Sequence, residues 1–159
     1  MAYPVYLTLK GKNQGLISSG CSSMDSIGNR YQSGHENEIQ VLSLNSGSFR
    51  EQNASYRPVI FTKPIDKSSP LLFTALDHNE ILEAKFIFYQ INQHGLLQKY
   101  YEVKLTDVSL IEVLDIFPDS ITHNESIPYQ RIQMKYVSVS RSHLMANTSG
   151  YSINSDMIR

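Results

Sequence analysis

The stretch VYLTLKG at 5–11 alternates, with Val5, Leu7 and Leu9 on one side and Tyr6, Thr8 and Lys10 on the other. Period-two alternation of this kind predicts a half-buried strand, which Gly11 ends. A polar run of Gly, Ser and Asn follows, and EIQVLSLNSGS then predicts a second strand that stops at Ser46-Gly47. YRPVIFTKPI predicts a third, bounded by Pro58 and Pro64, because proline has no N–H to give to a ladder. In DKSSPLLFTALDHNE the pattern changes: Ser68 or Ser69 suits a helix cap, Pro70 suits the first helical position, and Leu72, Ala75 and Leu76 form an apolar face. One short helix is expected there. EAKFIFYQIN and LQKYYEVKLTDVSLIEVLDI read as a hairpin with a long second arm, turning at His94-Gly95. IPYQRIQMKYVSVSR reads as a further strand, and the tail through Tyr151 and Ile153 as a possible short last one.

The pattern therefore predicts a mainly β fold: six or seven antiparallel strands, one short α-helix and a long loop between the first two strands. Several strands carry apolar or aromatic residues on both faces, as in Phe86 and Phe88 against Ile87 and Tyr89. An antiparallel sheet with one face in water alternates more cleanly. Two-sided strands point to a β-barrel whose outside also packs against something: the helix, a partner subunit, or both.

Composition narrows the function classes. The chain has 159 residues, a size suited to one domain spanning 1–159 that needs no disulfide or metal to hold it together. A net charge of −1 with no basic stripe argues against nucleic acid as a partner. No apolar run is long enough for a membrane helix, so membrane insertion is not expected. MAYPVYLTLKG lacks the basic and apolar regions of a secretory signal, which points to a chain made and kept in the cytoplasm unless other machinery exports it. One cysteine cannot form an internal disulfide. The N-x-S/T triplets at Asn53, Asn124 and Asn147 then reflect a Ser- and Asn-rich composition, not glycan sites.

The long loop, GLISSGCSSMDSIGNRYQSGHENEIQV, holds that cysteine, Cys21, with His35 and Asn37 downstream. These are the parts of a thiol hydrolase, yet no helix start or basic cluster stands beside Cys21 to lower its pKa. The five histidines show no i,i+3 or i,i+4 pairing, so no metal site is expected. Asp115 with Asp119, and Glu36 with Glu38, fall on loops or strand ends, where solvated charge is the default. No phosphate-cradling glycine motif occurs, and no cofactor is expected. Nothing in these patterns gives positive evidence for an enzyme or a catalytic residue.

In order along the chain, IGNRYQSGHENEIQV at 27–41, KPIDKSSPLL at 63–72 and SGYS at 149–152 are the most specific pieces of a wider pattern. This pattern resembles the Hcp family, the hemolysin-coregulated proteins of bacterial type VI secretion, over nearly the whole chain. The resemblance implies a β-barrel with one packed helix and no enzymatic activity. It implies homohexameric rings stacked into a hollow tube, a surrounding sheath, a spike protein at the tip, and effector proteins carried in the lumen. It also implies secretion without a signal peptide. Some family members carry a fused C-terminal toxin domain, for which this sequence, ending at Arg159, leaves no room.

Ring closure would cover strand edges and apolar faces, and stacking brings unlike surfaces together. The resemblance implies that the loop between the first two strands, here 15–37, extends toward the adjacent ring, and its polar, adaptable composition suits such a contact. The candidates in it are Ser19, Gly20, Ile27, Asn29, Arg30, Tyr31, Gln32 and His35, with Arg30 and Tyr31 first because Arg and Tyr are enriched as interface anchors. The competing expectation is that these residues only pack the loop onto its own barrel. Pro64, Ser69 and Pro70 are expected to be structural. Two other functional readings stay open: a monomeric β-barrel binding module with a carbohydrate site in its polar loops, disfavoured by the lack of tryptophan, and a cysteine hydrolase.

Overall fold

The structure is a computed structural model that describes residues 3–30, 33–123 and 125–153. Its strands are β1 (Val5–Gly11), β2 (Gly15–Leu16), β3 (Ile39–Val41), β4 (Ser43–Arg50), β5 (Ala54–Pro64), β6 (Leu82–Ile91), β7 (Leu97–Ile116), β8 (Tyr129–Lys135), β9 (Ser138–His143) and β10 (Thr148–Ile153). One helical turn, α1 (Met24–Ile27), and a 3-10 turn (Gly28–Arg30) lie in the first loop, and α2 (Ser69–Asp77) is the one longer helix among the described residues.

All the ladders are antiparallel, and the main sheet order is β2-β1-β6-β7-β8-β5-β4, with β9 on β7 and β10 on β9. The ladder is not continuously closed. Its ends are drawn together by the segment 39–50, which pairs with β1 through β3 and with β5 through β4. Between those two pairings the Leu42 N–H donates to the Thr62 carbonyl at 2.8 Å. Inside lie Leu7, Leu9, Phe61, Phe86, Leu105, Ile132 and Met134, all buried, and α2 adds Leu72 and Ala75 to the same core.

The expected mainly β fold with one short helix is present, and the hairpin turn falls where expected. Asn92 Oδ1 accepts the N–H groups of His94 and Leu96 there, and Gly95 takes a φ of 78°. Three boundaries differ. The second strand does not stop at Ser46-Gly47: the ladder shifts register there and continues to Arg50. That shift also seats Pro58 inside β5 at a bulge, where a missing donor breaks no ladder bond. The run 127–141 is two strands, because Tyr136 leaves the ladder to bury its ring and Val137 N–H bonds to Thr106 O.

Apolar residues on the outer face of β1 and β6 are covered by the chain itself. Tyr6, Ile87 and Tyr89 form a small second cluster, and the His35 ring stacks on Tyr6 at 4.0 Å and meets Tyr89 edge-on at 5.3 Å.

The corner between β5 and α2 holds a charge in the interior. Lys63 is fully buried. Its Nζ donates to Pro64 O at 2.9 Å, Gln130 Oε1 at 2.9 Å and Ser69 Oγ at 3.3 Å, and lies 3.0 Å from Asp66 Oδ1. Asp66 also accepts the Ser68 N–H and hydroxyl, so Ser68 serves the carboxylate and does not cap α2 with its side chain. Ser69 begins the helix with Pro70 directly behind it, and its hydroxyl accepts the Asp66 N–H and donates to Gln130 Oε1. Burial pushes the Lys63 ammonium below its ordinary pKa and Asp66 opposes that. Replacing Lys63 with Ala leaves Asp66 buried without its counter-charge and should cost about 3–5 kcal/mol of stability. Urea unfolding checks this, and a midpoint equal to that of the parent chain would show that the pair contributes nothing.

Candidate interaction site in the loop from 12 to 38

The loop begins at a fixed junction. A Cβ on Gly11 would lie 2.1 Å from Glu80 Oε2, so any other residue at the end of β1 would displace the Glu80 carboxylate. Glu80 is nearly fully buried, at 4% exposure, and takes that space for a reason. Its carboxylate accepts the N–H groups of Asn13 at 3.0 Å and Gln14 at 2.9 Å, and the Gln14 side-chain amide at 2.9 Å. Burial pushes the Glu80 pKa up, but these donated bonds outweigh it and hold the carboxyl below its ordinary range.

The first arm of the loop is part of the core. Ile17 and Cys21 are buried with Leu9, and Ser18 Oγ accepts the Leu9 N–H at 3.2 Å in place of a strand partner. The two arms are then tied together. Gly20 N–H donates to Asn37 Oδ1 at 3.0 Å, Ser22 N–H to Glu36 O at 3.2 Å, and Ser22 Oγ to Glu38 O at 2.5 Å. Lys67 N–H donates to Ser26 Oγ at 2.8 Å, which joins the loop to the β5–α2 corner.

Cys21, His35 and Asn37 are not assembled as a catalytic set. Cys21 Sγ donates to Ile17 O at 3.4 Å, and burial followed by the nearby Asp66 charge pushes the thiol up to about 11. His35 Nδ1 pairs with Glu38 Oε1 at 3.1 Å, and Asn37 holds the Gly20 N–H. A nucleophile needs a thiolate and a base within hydrogen-bond reach, and Cys21 has neither. Among the described residues no group of three or more His, Cys, Asp or Glu side chains is placed to hold a metal ion.

The expected contact residues separate into two groups. Ser19, Asn29 and Arg30 are exposed, with Gly20 and Ile27 half-buried beside them; Met24 adds an apolar side chain that is 62% exposed. His35 lies against its own barrel, on Tyr6 and Tyr89. Tyr31 and Gln32 lie outside the described residues. The loop therefore presents its middle, while Ile17, Ser18, Cys21 and Ser22 of its first arm are buried.

A second projecting element has no place among the residues singled out from sequence. The β4–β5 hairpin turns at 51–53 and is exposed over most of its outer half, with Phe49 44% exposed and Arg57 stacked over its ring at 5.2 Å. The signal for it was present: Phe49 and Tyr56 alternate with polar residues on either side of EQN, a turn-like triplet.

Two predictions follow from this geometry. Cys21 should resist a thiol-labelling reagent at pH 7.5 in the folded protein and react at once on unfolding; rapid labelling of the native chain would contradict its burial. Glu80→Gln should lower stability at neutral pH. Because the folded pKa of Glu80 is depressed, its contribution is complete above the unfolded value of about 4.3 and is lost as pH falls through the folded one. Thermal melts of parent and variant should therefore converge as pH drops below about 4.

A profile of the family described as type VI secretion system effector, Hcp, matches residues 6–141. The chain is 39% identical over 153 residues to the Escherichia coli K12 protein YhhZ, covering 93% of this chain and 37% of that protein's length. It is 32% identical over 168 residues to the Major exported protein of Pseudomonas aeruginosa PAO1, covering 94% of each. Among solved structures it superimposes on a crystal structure of an Hcp protein with a TM-score of 0.91 at 30% identity, covering 96% of this chain and 98% of that one. The secreted protein Hcp3 of Pseudomonas aeruginosa gives a TM-score of 0.87 at 31% identity, with the same coverage of 96% and 98%. No helix among the described residues is long and apolar enough to cross a membrane. With the profile spanning most of the sheet, the chain belongs to the type VI secretion Hcp family, a family of structural secreted proteins.

Proposed function

We propose that this chain is the ring-forming subunit of a type VI secretion inner tube, a homohexamer whose rings stack head to tail. The observation that carries the reading is the family match over 6–141, joined to coverage of 94% on both sides with the Major exported protein. The surface supports it. Phe49, Phe73, Phe117, Ile121 and Tyr151 are all at least 44% exposed, an amount of large apolar surface that association would cover. Among the described residues β10 and β4 each pair on one side only, so their outer edges carry backbone groups without a ladder partner there.

In this reading the chain folds as one domain in the cytoplasm and leaves by the secretion machine without a signal peptide. Its partners are copies of itself in the ring and in adjacent rings, a spike protein at the tip, a sheath outside and effector proteins in the lumen. The exposed middle of the 12–38 loop, with Ser19, Asn29, Arg30 and Met24 outward, is the part suited to contact the next ring. The role needs no catalytic residue and no cofactor.

Light scattering of the purified chain should give a mass close to six times 18.1 kDa. A clean monomer at tens of micromolar would sink the ring reading and revive the monomeric binding module. Arg30→Glu should keep the ring mass while shortening tubes seen by electron microscopy and reducing the protein released to the medium. Tubes and release at parental levels would remove Arg30 from the stacking contact.

A further inference from the structure

A groove of about 440 Å³ runs between α2 and the far ends of β7 and β8. Its banks are apolar: Phe73 on α2 is 65% exposed and Phe117, just past β7, is 68% exposed, with Ile65, Pro70 and Val113 between them. Its floor is polar and anionic. Ser69 and Gln130 are engaged by the buried Lys63, and Asp66 is neutralised by it at 3.0 Å. Asp115 is different: one of its oxygens accepts Gln130 Nε2 at 2.6 Å, and the residue remains exposed. No cation is among the lining residues. Two exposed phenylalanines flanking a carboxylate form a receptor for an aromatic ring and a guanidinium, since Arg stacks on aromatic faces and pairs with carboxylates at once.

The same chain carries that ligand on another surface. On the β4–β5 hairpin, Arg57 lies over the Phe49 ring at 5.2 Å, and both are exposed. The opposite face of the hairpin is used internally. Tyr56 donates its hydroxyl to Ser152 Oγ and stacks on Tyr136 at 5.1 Å. Arg57 gives the outward face a cation to set against the exposed Asp115 carboxylate of the groove.

We propose that the α2–β7 groove is the receptor for the Phe49–Arg57 face of the β4–β5 hairpin of a second copy of this chain. The pairing rests on the ring-forming reading above and gives it a residue-level contact. Phe49 enters between Phe73 and Phe117, and Arg57 reaches Asp115. The contact joins two different surfaces, so it repeats from copy to copy and must close into a ring or continue as a filament.

Cysteine cross-linking tests this in a Cys21→Ser background. Phe49→Cys and Phe73→Cys are made as separate proteins, each first checked for an unchanged melting temperature, and are mixed under mild oxidation. With subunits exchanged at random, about half of the mixture should shift to a cross-linked dimer, while neither protein alone does so; a chain carrying both substitutions should give a ladder of multimers. Arg57→Glu in the Phe49→Cys protein should slow the cross-linking about tenfold, because like charge then faces Asp115. If the parent chain forms rings by light scattering and the mixture does not cross-link, the pairing is overturned and the ring reading stands. If the parent chain is a monomer, the ring reading itself falls, and the pairing with it. Cross-linking in either single variant alone shows a like-with-like contact and also overturns the head-to-tail pairing.

Discussion

A charged ammonium in the interior is the constraint around which this fold is arranged. Lys63 Nζ has 0% exposure, and such a group is tolerable only where every N–H has an acceptor and a counter-charge is near. Those acceptors come from β5 itself, from the first residues of α2 and from Gln130 on β8, while Gln130 reaches on to Asp115 of β7. Four elements are thereby held in one register. The first loop is tied to the same corner by the Lys67 N–H, which donates to Ser26 Oγ at 2.8 Å. A change at Lys63 would therefore be felt in α2, the sheet and the loop together.

That coupling gives the long loop a divided character. Its ends are bolted down, one by the Glu80 carboxylate that a side chain at Gly11 would displace, the other by His35 between Tyr6 and Tyr89. Its middle faces outward at Met24, Asn29 and Arg30. A contact surface of this sort loses less conformational entropy on association than a free arm would, because its ends are already ordered. The β4–β5 hairpin obeys the same logic, with one face anchored through Tyr56 and the other turned out.

Much of the architecture was legible where the relevant forces are local. Alternation marked β1, His94-Gly95 marked the β6–β7 turn, and Ser-Ser-Pro marked the start of α2. The misread boundaries share a cause. At Gly47 and Pro58 the composition of a strand end is also that of a bulge, and only the pairing partner separates them. At 127–141 the strand-like pattern is continuous, and the break at Tyr136 comes from where that ring is buried. Cys21, His35 and Asn37 looked like a set because they are near in sequence; the fold turns one into the core, one onto the outer sheet face and one across to a backbone N–H.

By itself, the order of short motifs from 27 to 152 was enough for the family, and the two-fold period was enough for a mainly antiparallel β fold. Both are carried by side-chain chemistry within a few neighbours. What only the tertiary structure decided is which polar residues are interior and which apolar ones are left outside. Lys63 meets Gln130 across 67 positions, and Asn13 meets Glu80 across another 67. No local pattern encodes such a pairing, since it exists only once the ladders have set the register. The exposure of Phe49, Phe73 and Phe117 is of the same kind: these large apolar side chains are left outside by the geometry of the sheet and helix.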